Sequence, residues 1–114
     1  AISCYRESLR RKPDQPEVLN DLAWYLATGE TDRMRDGVEA VRLATKACEL
    51  NGYGDANFLG TLAAAFAEAG RFDEAAQTAQ KAIGMALSSG QERLSQDLNR
   101  QYEFYKRRQP YREH

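Results

Sequence analysis

The feature that most constrains the fold is a pattern of small and apolar residues that occurs twice along the chain. The matched positions are Leu22, Ala23, Leu26, Ala40, Ala44 and Ala47 in the first copy and Leu62, Ala63, Phe66, Ala75, Ala79 and Ala82 in the second. Ala40 and Ala75 are 35 residues apart. A period of this length in paired helical segments is typical of repeat proteins, in which stacked hairpins bury the faces that one hairpin leaves exposed.

The remaining sequence indicates further helices and no strands. Proline occurs only at positions 13, 16 and 110, and no stretch alternates apolar and polar residues over the length of a strand. We therefore predict an all-α fold of six helices, arranged as a right-handed solenoid of helical hairpins. The predicted capping boxes are Asp14 with Glu17, Asp36 with Glu39 and Ser89 with Glu92, the other predicted starts are Asp55 and Asp73, and the predicted ends include Asn51, Gly52 and Gly70.

The repeat pattern also sets the predicted boundaries. Its register extends backwards, because Ala1, Tyr5 and Ser8 have the spacing of Ala40, Ala44 and Ala47. Residues 1–108 are predicted to form one domain: the second helix of a truncated repeat (1–13), two repeats (14–51 and 55–88) and a capping helix (89–108), before a tail (109–114). An insertion in the first full repeat is expected to widen the turn between its helices and to add a helical turn around residues 32–35.

A resemblance to a known family rests mainly on the second repeat. Phe66, the turn Gly70-Arg71-Phe72, Glu74-Ala75 and Ala82 follow the pattern of the tetratricopeptide repeat (TPR) family, and Pro13 lies where that family ends a repeat. The chain resembles the family over residues 1–87, with leucines 19 and 59 in place of the usual tryptophan. It is also similar to the carboxyl ends of large bacterial TPR proteins, some of them glycosyltransferase-like or membrane-anchored. The resemblance implies a protein-interaction scaffold that binds a peptide or a partner helix in a concave groove.

The groove implied by the resemblance would be lined by the first helix of each pair. The predicted groove residues are Asn20, Asp21, Trp24, Thr28, Thr61, Ala64 and Glu68. Trp24 is interpreted either as an anchor for the ligand or as a residue that packs on the preceding helix. Asn20 is interpreted either as a partner for a peptide backbone or as a capping or solvated amide.

The residue types in the groove bear on the ligand. Some TPR proteins grip a C-terminal carboxylate with lysines and asparagines. The comparable places in this sequence hold Asn20, Trp24, Gly60 and Ala64, a set that does not favour such a clamp. The acidic groups of Glu17, Asp21 and Glu68 favour a neutral or basic peptide instead. Gly60 either clears room for a ligand backbone or has no role.

No residue pattern predicts catalysis, a cofactor or a metal site. The one histidine, His114, is the last residue, and no phosphate-binding loop, nucleophile elbow or pair of metal ligands appears. Glu30, Asp32 and Asp36 surround a loop without the features of a calcium site, so we expect a solvated turn. Cys4 and Cys48 are expected to be buried free thiols. We therefore expect that the chain is not an enzyme.

The two ends of the chain are net basic, and residues 13–90 are net acidic. Between positions 93 and 112, basic and aromatic residues alternate, which indicates either a nucleic-acid patch or, as we favour, a cap whose bases complement the helix dipole. At the other end, Ile2, Tyr5 and Leu9 would lack a covering helix, which predicts an exposed apolar stripe and self-association through residues 1–12.

Three alternative roles and the location stay open at this point. The segment could only terminate a longer solenoid, could present substrate to a glycosyltransferase-like parent, or, as the least favoured reading, could bind RNA through Lys106, Arg107 and Arg108. No apolar run is long enough to span a membrane, so we expect no membrane contact and a soluble segment. The compartment is either the cytoplasm or the soluble side of a membrane-anchored parent.

Overall fold

The computed structural model describes residues 2–29 and 36–111, and both ranges consist of helices joined by turns, with no strand. The helices are α1 (Ile2–Arg11), α2 (Pro16–Thr28), α3 (Gly37–Leu50), α4 (Ala56–Glu68), α5 (Phe72–Ser88) and α6 (Glu92–Lys106). The predicted all-α fold is therefore confirmed. The helical turn predicted around residues 32–35 lies outside the described residues, as do Glu30, Asp32 and His114.

The order of contacts between helices is regular. Each helix packs against the next one in the sequence, and α2 also contacts α4, which in turn contacts α6. Helices α2, α4 and α6 therefore lie side by side in one row. Helix α3 packs against both α2 and α4, and α5 packs against both α4 and α6.

The repeated alanines are buried between the helices. All six, at positions 40, 44, 47, 75, 79 and 82, are at most 1 % exposed. Small side chains at these positions let neighbouring helix axes approach, and larger residues fill the space between them. Leu19, Leu22 and Leu26 from α2 and Phe58 and Leu59 from α4 are all buried in the same core.

Two of the predicted helix starts are confirmed by side-chain caps. The carboxylate of Asp36 accepts a hydrogen bond from the backbone N–H of Glu39 at 3.1 Å. The carboxylate of Asp55 accepts one from the N–H of Asn57 at 2.8 Å. Each carboxylate satisfies a backbone donor that the first turn of a helix leaves unpaired.

Two predicted capping boxes are wrong. Helix α2 is preceded by Gln15, whose side-chain amide donates to the carbonyls of Ser8 and Lys12 at the end of α1. Asp14 is therefore not the cap, and its carboxylate lies 3.3 Å from the ammonium group of Lys46. Ser89 is also not an N-cap. It ends α5, where its hydroxyl donates to the carbonyl of Met85, and α6 begins three residues later at Glu92.

Four helix ends share one hydrogen-bonding arrangement. At the end of α4, the N–H of Gly70 donates to the carbonyl of Ala67, and the N–H of Arg71 donates to that of Phe66. This is the Schellman motif, which needs a residue of positive φ. Helices α3, α5 and α6 end in the same way, with glycines 52 and 90 and Arg108 at the positive-φ position. Arg108 lacks the backbone freedom of a glycine, yet its φ is 57°.

The first helix differs from its predicted state. Tyr5 and Leu9 are half-buried and pack against the core, and the ring of Tyr5 stacks on that of Tyr25 in α2 at 5.8 Å between centroids. The predicted apolar stripe is therefore wrong for these two side chains, because α2 covers them. Cys48 is buried as predicted, whereas Cys4 is exposed, which corrects the prediction for that thiol. Self-association through residues 1–12 stays a prediction.

Candidate functional site

A cavity of about 460 Å³ lies along the row of helices α2, α4 and α6 and reaches Tyr5 of α1. Its α2 and α4 walls are formed by Asn20, Asp21, Trp24, Tyr25, Asn57, Gly60 and Thr61. A volume in this range is ordinary for a binding pocket, for which about 300–1,000 Å³ is typical.

The structure brings together four of the seven predicted groove residues. Asn20, Asp21, Trp24 and Thr61 line the cavity, and the other three predicted residues do not. Thr28 and Ala64 are each 1 % exposed, so neither can meet a ligand in this conformation. The hydroxyl of Thr28 donates to the carbonyl of Trp24 at 2.8 Å, which is a bond within its own helix. Glu68 is half-buried and lies outside the cavity lining.

Helix α6 supplies a wall of the cavity that the sequence did not predict. Its contributing residues are Leu94, Asp97, Leu98 and Gln101. Asp97 and Gln101 are four residues apart, which places them on one face of the helix, one turn from each other. That spacing is visible in the sequence, but the basic and aromatic residues of this region predict a cap or a nucleic-acid patch and not a cavity wall.

Gly60 has a structural role that neither of its two predicted interpretations included. A β-carbon on Gly60 would lie 2.5 Å from the Cδ2 atom of Leu98. The missing side chain therefore makes room for Leu98 of α6, and no ligand backbone is needed to explain the glycine. Because α6 can pack so closely on α4, Gly60 and Leu98 form the base of the cavity.

Two amide oxygens in the cavity lack a hydrogen bond. The side chain of Asn20 is 6 % exposed, and its Oδ1 atom has no partner in the described part of the chain. The Oε1 atom of Gln101 is likewise buried without a partner among those residues. Leaving a buried polar group unsatisfied costs about 1–3 kcal/mol, so a ligand that donates to these oxygens, once a rotation of each side chain exposes them, would recover free energy.

The ionisable groups of the cavity are mainly acidic. Asp21 and Asp97 carry the carboxylates, and no lysine, arginine or histidine is among the described residues that line it. Asp97 pairs with Arg100, one turn along the same helix. Burial, and to a smaller extent the neighbouring charge of Glu17, raise the pKa of Asp21 above its ordinary value. Both causes favour the protonated, neutral form of the Asp21 carboxyl.

The indole of Trp24 packs against the chain's own C-terminal region. The ring of Tyr111 lies 6.0 Å from that of Trp24 and 5.5 Å from that of Phe104, the latter in an edge-to-face arrangement. The sequence left open whether Trp24 packs on the preceding helix or contacts a ligand. In the structure its aromatic neighbour is Tyr111, and the indole still borders the cavity.

The basic residues near the C terminus lie over aromatic rings of the same chain. Arg107 lies over Phe104, Lys106 over Tyr102 and Arg108 over Phe72, each within 5.4 Å of the ring centroid. Lys106 also pairs with Glu103, and Arg108 with Asp73. These rings and charges are thus engaged within the chain, which favours the cap over the nucleic-acid patch.

Other kinds of chemistry find little support in residues 2–29 and 36–111. These ranges contain no group of three or more histidine, cysteine, aspartate or glutamate side chains placed to hold a metal ion. None of their helices combines the length and the apolar character needed to cross a bilayer. Burial, followed by the charges of Asp55 and Glu49, raises the pKa of the Cys48 thiol to about 11, so this group is not a reactive thiolate at neutral pH.

Comparison of the chain with models of protein families, with curated proteins and with solved structures gives no match.

Proposed function

We propose that the chain is a TPR-like helical-repeat scaffold that binds a peptide or a partner helix in the groove formed by α2, α4 and α6. The proposed architecture is a right-handed solenoid of about two and a half repeats closed by a capping helix. Three features support it: the regular order of helix contacts, the buried alanines at matching positions, and the glycine turn that joins α4 to α5.

The observation that carries the binding proposal is the buried Asn20 amide at the wall of the cavity. A side chain that serves only the fold is expected to have its hydrogen bonds satisfied within the fold. Asn20 instead lines the cavity together with Asp21, Trp24 and Thr61, and its buried Oδ1 atom has no partner in the described part of the chain. In a helical-hairpin solenoid, the first helices of successive pairs form the concave side, and in the proposed architecture α2, α4 and α6 hold those positions.

One alternative has its own support in the structure. The Gly60–Leu98 packing and the contact of Tyr111 with Trp24 both serve to close the row of helices at its C-terminal end. A segment whose sole task is to terminate a longer solenoid needs these contacts and no ligand. In that case, substitutions at the cavity change stability and leave every binding activity unaltered.

The test is a selection of peptides from a display library with the purified 114-residue chain as bait. Trp24 is the only tryptophan, so its fluorescence reports directly on occupation of the cavity. A selected peptide should change this fluorescence in a saturable manner, and Asn20→Leu should weaken its binding. Asn99→Leu is the matched control, since Asn99 lies on the exposed face of α6 outside the cavity.

Two results would reject the binding proposal in favour of the terminal role. The first is a selection that returns no peptide able to change Trp24 fluorescence. The second is a set of selected peptides whose binding is equally tight to the parent chain and to Asn20→Leu. Circular dichroism of each variant confirms beforehand that its helices are retained.

A further inference from the structure

We infer that the cavity along α2, α4 and α6 accepts the guanidinium group of an arginine side chain in the bound peptide. This inference rests on the proposed peptide-binding function and adds to it the chemistry of one ligand residue. Its support comes from the type of hydrogen-bonding group left unpaired, from the charge of the lining and from the aromatic rings at its edge.

Among the described residues, the buried polar atoms of the cavity lining that lack a hydrogen-bond partner are both acceptors. Asn20 Oδ1 on α2 and Gln101 Oε1 on α6 are buried oxygens with no hydrogen-bond partner within the described ranges. Asn20 is also more than nine-tenths buried, so bulk water is a poor substitute for a partner. A ligand that satisfies both oxygens must bring N–H or O–H donors to two different helices at once.

The charge of the cavity lining favours a positively charged ligand group. Asp21 and Asp97 line it from opposite walls, and no basic side chain of the described residues does. The carboxylate of Asp97 forms an ion pair with Arg100. Asp21 forms no ion pair within the described part of the chain. Glu17, one turn before Asp21, adds a further negative charge nearby. A cationic group is therefore attracted, and a carboxylate or phosphate is repelled.

The shape of the guanidinium group fits this set of acceptors better than an ammonium group does. Guanidinium is planar, holds five N–H donors in a fixed fork and stacks on aromatic faces. The cavity offers two amide oxygens and two carboxylates, and the rings of Tyr5, Trp24 and Tyr25 border it. An ammonium group has three donors and is more strongly hydrated, so it loses more hydration free energy on entering a half-closed site.

The test begins with a peptide that the display selection has already shown to bind. Each position of that peptide is replaced in turn by arginine, lysine, glutamate and citrulline, which has the shape of arginine without its charge. Binding is followed by Trp24 fluorescence and by the side-chain amide signals of Asn20 and Gln101 in nuclear magnetic resonance spectra. At one position of the peptide, the arginine variant should bind about tenfold more tightly than the citrulline variant. It should also bind more tightly than the lysine variant, and the glutamate variant should not bind.

Variants of the chain identify the groups responsible. The double substitution Asp21→Asn with Asp97→Asn should remove most of the preference for arginine over citrulline while citrulline binding persists. Glu49→Gln is the control, because Glu49 is an exposed carboxylate on α3 that does not line the cavity. It changes the net charge by one and should leave the preference intact.

The outcomes separate this inference from the proposed function beneath it. If citrulline or lysine binds as tightly as arginine at every position, the guanidinium site is wrong although the groove still binds peptides. The same conclusion holds if the preference survives in the double variant. If the selection yields no peptide that reaches Trp24, the groove function itself is wrong, and the inference fails with it.

Discussion

The side chain of Leu98 occupies the place that a side chain on Gly60 would need: a β-carbon there would lie 2.5 Å from Leu98 Cδ2. This relationship joins two helices that are far apart in sequence and lets α6 close on α4. It also brings Asp97 and Gln101, the neighbours of Leu98 on α6, to the wall that faces α2. The cavity therefore depends on the absence of one β-carbon.

A glycine-to-alanine comparison tests this packing. Within a helix, alanine is favoured over glycine by about 0.5–1 kcal/mol. Gly84 in α5 has open space around it, so Gly84→Ala should raise the free energy of unfolding by about that amount. Gly60→Ala should raise the free energy of unfolding by less than this, or should lower it, because Leu98 must move. Urea unfolding measures both, and an equal gain at the two sites would contradict the packing described here.

Two tyrosines on α6 differ in the hydrogen bonding of their hydroxyl groups, so they can be compared directly. The hydroxyl of Tyr102 accepts a hydrogen bond from the side-chain amide of Gln80 at 2.8 Å. The hydroxyl of Tyr105 is buried without a partner among the described residues. Tyr102→Phe should therefore lower the free energy of unfolding by about 0.5–1.5 kcal/mol, whereas Tyr105→Phe should leave it unchanged or raise it. A loss of stability in Tyr105→Phe as large as that in Tyr102→Phe would show that the buried hydroxyl has a partner.

The two cysteines should react very differently with thiol reagents. Cys4 is exposed, whereas Cys48 is buried and its thiol pKa is raised to about 11. At pH 8, one thiol should be alkylated quickly and the second only after denaturant is added, and Cys4→Ser should abolish the fast reaction. Fast modification of two thiols in the folded chain would contradict the burial of Cys48.

The same raised pKa has a consequence for stability at high pH. Burial raises the pKa of the Cys48 thiol from its ordinary 9.0 to about 11, so the unfolded chain loses this proton before the folded chain does. The contribution of the group to stability is complete below pH 9 and is lost as the pH rises towards 11. Cys48→Ala should therefore show a smaller decline of the unfolding free energy over this interval than the parent chain.

The contact between Tyr111 and Trp24 can be tested by fluorescence. Removing the ring with Tyr111→Ala should expose Trp24 to water and shift its emission to longer wavelength. Stability should fall by about 0.5–1.5 kcal/mol for each aromatic pair that is lost. Tyr53→Asn is the control, since Tyr53 is exposed and Asn tolerates its positive φ. An unchanged emission in Tyr111→Ala would place the tail away from Trp24.

Much of the fold could be predicted because it depends on local signals. The spacing of the alanines, the caps at Asp36 and Asp55 and the turn glycine at position 70 each act within a few residues, and the structure agrees with them. The wrong capping boxes show the limit of such signals. Asp14 has the spacing of a cap, but Gln15 competes for the same turn by bonding back to α1.

The candidate site was harder to predict, since it depends on how the helices pack. Helical spacing placed Asn20, Asp21 and Trp24 on one face, and these three do line the cavity. The same spacing could not show that Thr28 and Ala64 would be buried by neighbouring helices. It also could not place α6 as a wall of the cavity, because that arrangement depends on a contact between Gly60 and Leu98, 38 residues apart.

The proposed function requires that Asn20 serves binding rather than stability. The most direct measurement compares Asn20→Leu with the parent chain in two assays, urea unfolding and binding of a selected peptide to Trp24. Leucine removes a buried oxygen without a partner and keeps similar volume, so the unfolding free energy should be unchanged or higher, while peptide binding weakens about tenfold or more. A clear loss of stability with unchanged peptide binding would contradict the account.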